Sequence, residues 1–152
     1  KTNEQVMAFM DSARHQNLED SLNAIKTNQE SFKNKTGINW AIIETESNTC
    51  IGYFGYWKLC RDNCRGEIGY SLKPEFWGKG YMFEAMTTLI NFGFNAMHLH
   101  SIEANINPMN KKSENLLVKF GFKKEAYFRE NYLFNGVYLD STIYSLLQSD
   151  LK

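Results

Sequence analysis

The sequence predicts an α+β (mixed α/β) domain built on a central, mostly antiparallel sheet. Three observations favour this class. A helical pattern comes first, β-rich runs with short polar turns follow, and Asn135-Gly136 separates two alternating runs, 122–131 and 136–147. Asn-Gly between such runs is the strongest short hairpin signal. With 152 residues and no internal repeat or linker, the chain predicts a single domain over 1–152.

The first third of the chain is expected to be helical. Apolar residues recur at helical spacing within residues 18–33, and a shorter helix is expected within residues 3–14. The sequence begins at Lys1 without a methionine, which is consistent with an N-terminal piece, including a strand, outside it. The apolar positions of the longer helix are Leu18, Leu22, Ile25 and Phe32.

Three strands are expected next. The runs 39–44 and 50–57 are rich in β-branched and aromatic residues and flank a polar stretch, which predicts an antiparallel hairpin. Residues 66–72 form a third strand, and Pro74 stops it because proline cannot donate a hydrogen bond to a sheet.

The second half alternates helices and strands. Apolar residues at three- and four-residue steps predict a helix over 82–97, and 101–106 alternates like a strand. A short helix follows, with Asn110 as its cap and Gly121 as its left-handed stop.

The charge balance excludes several classes of partner. Lys+Arg and Asp+Glu are equal at 17 each, so the chain has no overall field for nucleic acid or an anionic membrane. We find neither an apolar run of membrane-spanning length nor a charged-then-apolar leader. Cys50, Cys60 and Cys64 are an odd number without zinc-ligand spacing, which predicts reduced thiols, no metal and a cytoplasmic location.

The stretch around Gly78 and Gly80 is the strongest candidate for a binding site. Glycine inside a helix costs about 1 kcal/mol relative to alanine, so two glycines just where a helix begins indicate that bare backbone is needed there. Unpaired N–H groups at a helix start bind anions, above all phosphates. The spacing fits neither a P-loop nor a dinucleotide fingerprint. A simple tight turn is the alternative explanation.

Two motifs in this order resemble a known family. "EIGYSLKPEFWGKGYMFEAM" and, further on, "NPMNKKSENLLVKFGF" are similar to the acetyl-CoA-binding core of the GNAT N-acetyltransferase superfamily. The branch resembled contains the bacterial ribosomal-protein N-terminal (Ser/Ala) acetyltransferases, and the likeness covers roughly residues 38–147. It implies splayed central strands and a strand–loop–helix acetyl-CoA site.

The resemblance implies which residues bind coenzyme A. Backbone amides of the loop would hold the pyrophosphate, with Lys79 adding charge, and the strand before the loop would receive the thioester. Its amides would also stabilise the oxyanion. The alternative explanations are that residues 66–72 form an ordinary internal strand, and that Asn107 and Asn110 only fix the turn before the second helix. The implied cofactor-binding residues are Tyr70, Ser71, Leu72, Trp77, Gly78, Lys79, Gly80, Tyr81, Met82, Asn107 and Asn110.

The resemblance also implies two catalytic residues. Glu67 occupies a position where the superfamily often places the base that deprotonates the amine. Many members use a tyrosine as the acid on the second helix, but Leu117 stands at that position here. In the branch resembled here, a serine one helical turn upstream substitutes for that tyrosine, and Ser113 occupies the position of this serine. A solvated Glu67 and a merely helix-capping Ser113 are the alternatives.

The sequence thus predicts an acetyl-CoA-dependent N-acetyltransferase that transfers acetyl directly to a primary amine. Direct transfer follows because no cysteine lies on the two motifs. By resemblance the acceptor is a protein N-terminal α-amine, and a homodimer is compatible. Two alternatives stay open: an enzyme for small amines such as polyamines or antibiotics, and a catalytically silent acyl-CoA-binding module.

Overall fold

The computed structural model describes residues 3–10 and 14–151. Its elements are α1 (Glu4–Met7), α2 (Leu18–Lys33), β1 (Ile38–Glu44), β2 (Thr49–Cys60), β3 (Arg65–Leu72), a 3-10 turn (Pro74–Phe76), α3 (Tyr81–Asn95), β4 (Ser101–Ile106), α4 (Lys111–Phe120), β5 (Lys123–Phe134), β6 (Val137–Leu147) and a second 3-10 turn (Gln148–Asp150). The strands form one six-stranded sheet in the order β1-β2-β3-β4-β6-β5. Only the β3–β4 pair is parallel, so the predicted mostly antiparallel sheet is confirmed for the described residues.

The N-terminal helices match the prediction in type. A capping box begins α2, since the Asn17 side chain accepts from the Asp20 amide at 3.0 Å and the Asp20 carboxylate accepts in return. The apolar positions of α2 stay exposed, with Leu18 at 76%. The shorter helix is the single turn α1, and residues 11–13 of that prediction lie outside the described residues.

The core lies between α3, α4 and one face of the sheet. Met86 and Ile90 of α3 are fully buried in it. The Tyr56 phenol on β2 donates to the Leu89 carbonyl of α3 at 3.0 Å. A Cβ at Gly93 would lie 2.1 Å from the Tyr56 hydroxyl oxygen, so glycine is required there for α3 to approach β2.

The two predicted hairpins are confirmed. β1 pairs with β2 and β5 with β6, both antiparallel. Asn135 and Gly136 have φ values of 49° and 78°. Positive φ at both central residues is what a tight type I′ hairpin turn requires, because it matches the twist of the flanking strands.

The feature that positions the site is a wedge between β3 and β4. The two strands pair only from Arg65 with Ser101 to Glu67 with Glu103. β3 then continues to Leu72 and β4 to Ile106, with no further pairing between them. The predicted splayed central strands are therefore present, and the β3 edge facing β4 has no strand partner beyond Glu67 among the described residues.

Candidate active site

The glycine loop connects the end of β3 to α3 and exposes its backbone. Gly78 and Gly80 have φ values of +72° and +90°, which side-chain-bearing residues rarely adopt. A Cβ at either position would meet no protein atom within 4 Å. Among the described residues, no protein acceptor pairs with the amides from Gly78 to Phe83. The loop therefore offers several open N–H groups at a helix start, the arrangement that suits a phosphate.

Side chains around the loop hold it in place. The Trp77 indole donates to the Leu72 carbonyl at 2.9 Å, tying the loop back to the end of β3. Met82 is buried, and the Tyr81 ring packs edge-on against Phe76 at 5.7 Å. These three predicted cofactor-binding residues thus use their side chains for packing and leave only their backbone to a ligand.

Two lysines lie near the open amides. The Lys79 ammonium is 5.7 Å from the Phe76 ring centroid, and the Lys112 ammonium is 4.0 Å from that of Trp77. Both cations are attracted to the ring faces and add positive charge beside the loop. Lys112 was not predicted from the sequence. No local signal indicates it, because it reaches the loop from α4 only through the packing of that helix.

β3 forms one wall of the wedge. Side chains alternate along a strand, so Tyr70 and Leu72 point toward the core while Glu67 and Ser71 point to the opposite face. Leu72 is buried in the core, and Ser71 lines an open groove on the other face. The Tyr70 phenol contacts the Ser113 hydroxyl on α4 at 2.6 Å.

The turn from β4 into α4 is fixed by two asparagines. The Asn107 side-chain oxygen accepts from the Met109 amide at 2.9 Å, and that of Asn110 accepts from the Ser113 amide at 3.1 Å. Asn110 is thus the predicted helix cap. Asn107 also lines the groove, and a ligand role for either residue stays a prediction. The Ser113 hydroxyl is paired with Tyr70, while its amide is the group that Asn110 caps.

Glu67 lies at the last β3–β4 pair, directly beside Glu103. Burial, with a smaller contribution from the Glu103 carboxylate, raises the pKa of Glu67 from its ordinary value of 4.5 to about 7. Lys58 and Arg65 act in the opposite direction, and Arg65 forms an ion pair with Glu103. A carboxyl group with a pKa near neutrality can both accept and release a proton at physiological pH.

A wide groove lies on the face of the sheet that carries Glu67. Its volume is about 1870 Å³, and it runs between α2 and the strands β1 to β3 to the end of β4. Its apolar lining includes Phe32, Trp40, Tyr53 and Trp57. Of the exposed apolar positions of α2, Ile25 and Phe32 line one side of this groove, whereas Leu18 and Leu22 lie outside its lining.

The charges of the groove are few and balanced. Among the described residues that line it, the carboxylates are Glu67 and Glu75, and the basic residues are His15 and Lys73. No grouping of the described His, Cys, Asp and Glu residues could hold a metal ion. None of the helices in the described ranges combines the length and apolar character that a bilayer crossing requires.

Comparisons with known proteins agree with this geometry. Residues 1–123 match the model of the acetyltransferase (GNAT) domain family. The uncharacterized N-acetyltransferase YoaA of Bacillus subtilis (strain 168) is 31% identical over 97% of this chain and 83% of its own length. The ribosomal protein uS5-alanine N-acetyltransferase of Escherichia coli (strain K12) is 31% identical over 80% of this chain and 63% of its own length. The crystal structure of a GNAT-family acetyltransferase from Bacillus anthracis superimposes with a TM-score of 0.84 at 26% identity, covering 97% of this chain and 84% of that one. The chain therefore belongs to the GNAT acetyltransferase family and is an acyltransferase.

Proposed function

We propose that this protein is an acetyl-CoA-dependent enzyme that transfers acetyl directly to the α-amine of a protein N-terminus. The observation that carries the proposal is the position of Glu67. It lies where β3 and β4 separate, faces the wide groove, and has a pKa near 7. The acyl donor and the acceptor amine could therefore meet beside a group that takes up a proton near neutral pH.

The residues around the wedge fit coenzyme A. The open amides from Gly78 to Phe83 would hold its diphosphate, with Lys79 and Lys112 adding charge. The β3 edge from Tyr70 to Leu72, which β4 does not pair with, would hydrogen-bond the donor's amides and the thioester oxygen as negative charge develops on it. Coenzyme A supplies the activated acetyl group when bound.

The pKa of Glu67 favours an α-amine over an alkyl amine. The ammonium of an α-amine has an ordinary pKa of about 8, so transferring its proton to Glu67 costs only about 1 kcal/mol. A lysine ammonium, with a pKa of about 10.4, would need more than about 4 kcal/mol for the same transfer. A polyamine ends in alkyl amines of the lysine type.

The groove supports the same choice of acceptor. Its volume of about 1870 Å³ exceeds the roughly 300–1,000 Å³ of typical small-molecule sites and suits an extended peptide. A polyamine carries several positive charges and needs several carboxylates. The groove offers only the carboxylates Glu67 and Glu75, and the Lys73 ammonium lies in the same lining. Apolar walls such as Trp57 would instead contact the first side chains of a peptide.

Acceptor competition tests the proposal. Acetyl-CoA is mixed with the protein and a peptide with a free N-terminus, the same peptide blocked at its N-terminus but carrying an internal lysine, or spermidine. Free thiol and the mass of each acceptor are then measured. We expect acetylation of the free N-terminus at least tenfold faster than that of the other two. Faster transfer to spermidine would support a small-amine enzyme. Binding of CoA without transfer to any amine would support a silent module. Either result contradicts the proposal.

A further inference from the structure

The contact between Tyr70 and Ser113 joins the two sides of the wedge. Tyr70 lies on β3 beyond its last pair with β4, and Ser113 lies in the first turn of α4, the helix that follows β4. Their hydroxyl oxygens are 2.6 Å apart, and Ser113 is 9% exposed. A donor lying between the separated strands would pass beside this pair.

Both hydroxyls are held rigidly. The Tyr70 ring stacks on Phe54 with an interplanar angle of 6° and a centroid distance of 6.2 Å. The Asn110 cap fixes the backbone of Ser113. Side chains that are positioned before a ligand arrives pay little entropy when they act on it. The pair is therefore preorganised, unlike an exposed tyrosine on a loop.

The pair has one hydrogen to spare. Each hydroxyl carries one O–H donor, and one of the two is used within the pair. The structure gives neither hydroxyl a further partner among residues 3–10 and 14–151. A partly buried O–H without an acceptor is unfavourable, so a bound group that accepts this hydrogen would stabilise the site.

We propose that Tyr70 protonates the departing CoA sulfur and that Ser113 positions the Tyr70 phenol. This inference rests on the proposed function and adds the acid to the Glu67 base. As the carbon–sulfur bond breaks, its electron pair moves onto sulfur. The phenol O–H bond breaks, an S–H bond forms, and the Ser113 hydroxyl donates to the phenolate oxygen. The proton lost by the amine goes to Glu67 and then to solvent, which also restores the phenol proton.

The chemistry of the two hydroxyls assigns these roles. A phenol is a far stronger acid than an aliphatic alcohol, so Tyr70 is the better donor. Burial raises the pKa of Tyr70 to about 12, and the Ser113 hydrogen bond acts to lower it. Tyr70 therefore keeps its proton throughout the neutral range. A phenol from β3 thus supplies the group that the sequence lacks at Leu117.

Leaving-group dependence distinguishes an acid from a structural residue. We compare Tyr70→Phe with the wild type, using acetyl-CoA and an oxygen-ester analogue of it whose alkoxide needs protonation more than a thiolate does. With acetyl-CoA we expect kcat to fall about 10- to 50-fold, which is less than the usual 10²- to 10⁴-fold effect of an acid because a thiolate leaves readily. KM for acetyl-CoA should stay within threefold. With the oxygen ester the loss should be at least tenfold larger.

Three further variants complete the test. Ser113→Ala should reduce kcat less than Tyr70→Phe does, and Ser113→Thr should restore most of the rate. The double variant Tyr70→Phe/Ser113→Ala should be no slower than Tyr70→Phe alone. Tyr144→Phe is the matched control, because this buried phenol bonds Glu114 in the same turn of α4 at 2.7 Å. Its rate should be similar to the wild type with both donors.

The inference is overturned by an equal loss with both donors, or by unchanged activity in Tyr70→Phe. If Tyr70→Phe does not fold, as judged by its melting temperature and CoA affinity, the donor comparison is made with Ser113→Ala, and equal losses there overturn the inference as well. A wild type that acetylates no amine would contradict the proposed function instead, so the two failures are distinguishable.

Discussion

Replacing Glu67 by glutamine should make the protein less active and, above neutral pH, more stable. The folded state holds the pKa of this carboxyl at about 7, compared with its ordinary value of 4.5. Between these pH values the folded protein binds more protons at Glu67 than the unfolded chain does. Its contribution to stability is therefore fully present below pH 4.5 and is lost as the pH rises through 7.

The size of this effect follows from the two pKa values. A rise from 4.5 to about 7 corresponds to about 3 kcal/mol. Glu67 is only partly buried and borders the open groove, so water screens its charge and reduces the effect to about 1–2 kcal/mol. Glutamine carries no charge at any pH, and Glu67→Gln should therefore gain about this amount over the wild type between pH 4 and pH 8.

Urea unfolding at pH 4 and pH 8, followed by tryptophan fluorescence, measures the stability difference. In the same range the wild-type kcat/KM for the amine should rise with pH toward a plateau above 7. Glu67→Gln should lose about 100-fold in rate together with the part of this rise that Glu67 causes. The matched control is Glu103→Gln, which removes the neighbouring charge, lowers the pKa of Glu67, and should shift the rise to lower pH without abolishing activity. An identical pH dependence of stability in Glu67→Gln and wild type, or an unchanged rate, would refute the reasoning.

Three further predictions concern the cofactor loop, the α4 cap and the route of transfer. Gly80→Ala should weaken CoA binding more than tenfold in calorimetry, because the new side chain strains a φ of +90° and covers the open amides. Gly136→Ala is the control: it strains a similar φ of +78° in the β5–β6 turn and should leave CoA binding unchanged. Equal losses of CoA affinity in the two variants would contradict a local role for the loop. Asn110→Ala should lower the free energy of unfolding by about 1 kcal/mol, and Asn110→Asp, which keeps the cap, should restore it. Equal stability of Asn110→Ala and Asn110→Asp in urea unfolding would show that the cap contributes little. Cys50→Ser should keep kcat within about twofold, because direct transfer does not use this exposed groove residue. Neither the wild type nor the variant should release a burst of thiol before amine is added. A burst in the wild type that the substitution abolishes would indicate an acyl-enzyme.

Much of the fold follows from local patterns. The Asn135-Gly136 turn, the Asn110 cap and the Gly78–Gly80 loop occupy the places predicted, because each depends on the backbone preferences of a few neighbouring residues. Burial was harder to predict. The apolar positions of α2 have helical spacing, but they stay exposed outside the core, and only Ile25 and Phe32 of them border the groove. Periodicity shows which face is apolar, not what covers that face.

The sequence by itself determined the family motifs and the location of the anion-binding loop, since glycine spacing and a helix start are local properties. Only the tertiary structure decided what the site residues can do. Tyr70 meets Ser113, and Glu67 meets Glu103, through the way β3, β4 and α4 pack. Contacts between residues this far apart depend on where the two strands separate. The pKa of Glu67 and the partner of the Tyr70 phenol depend on the burial and neighbours that this packing creates.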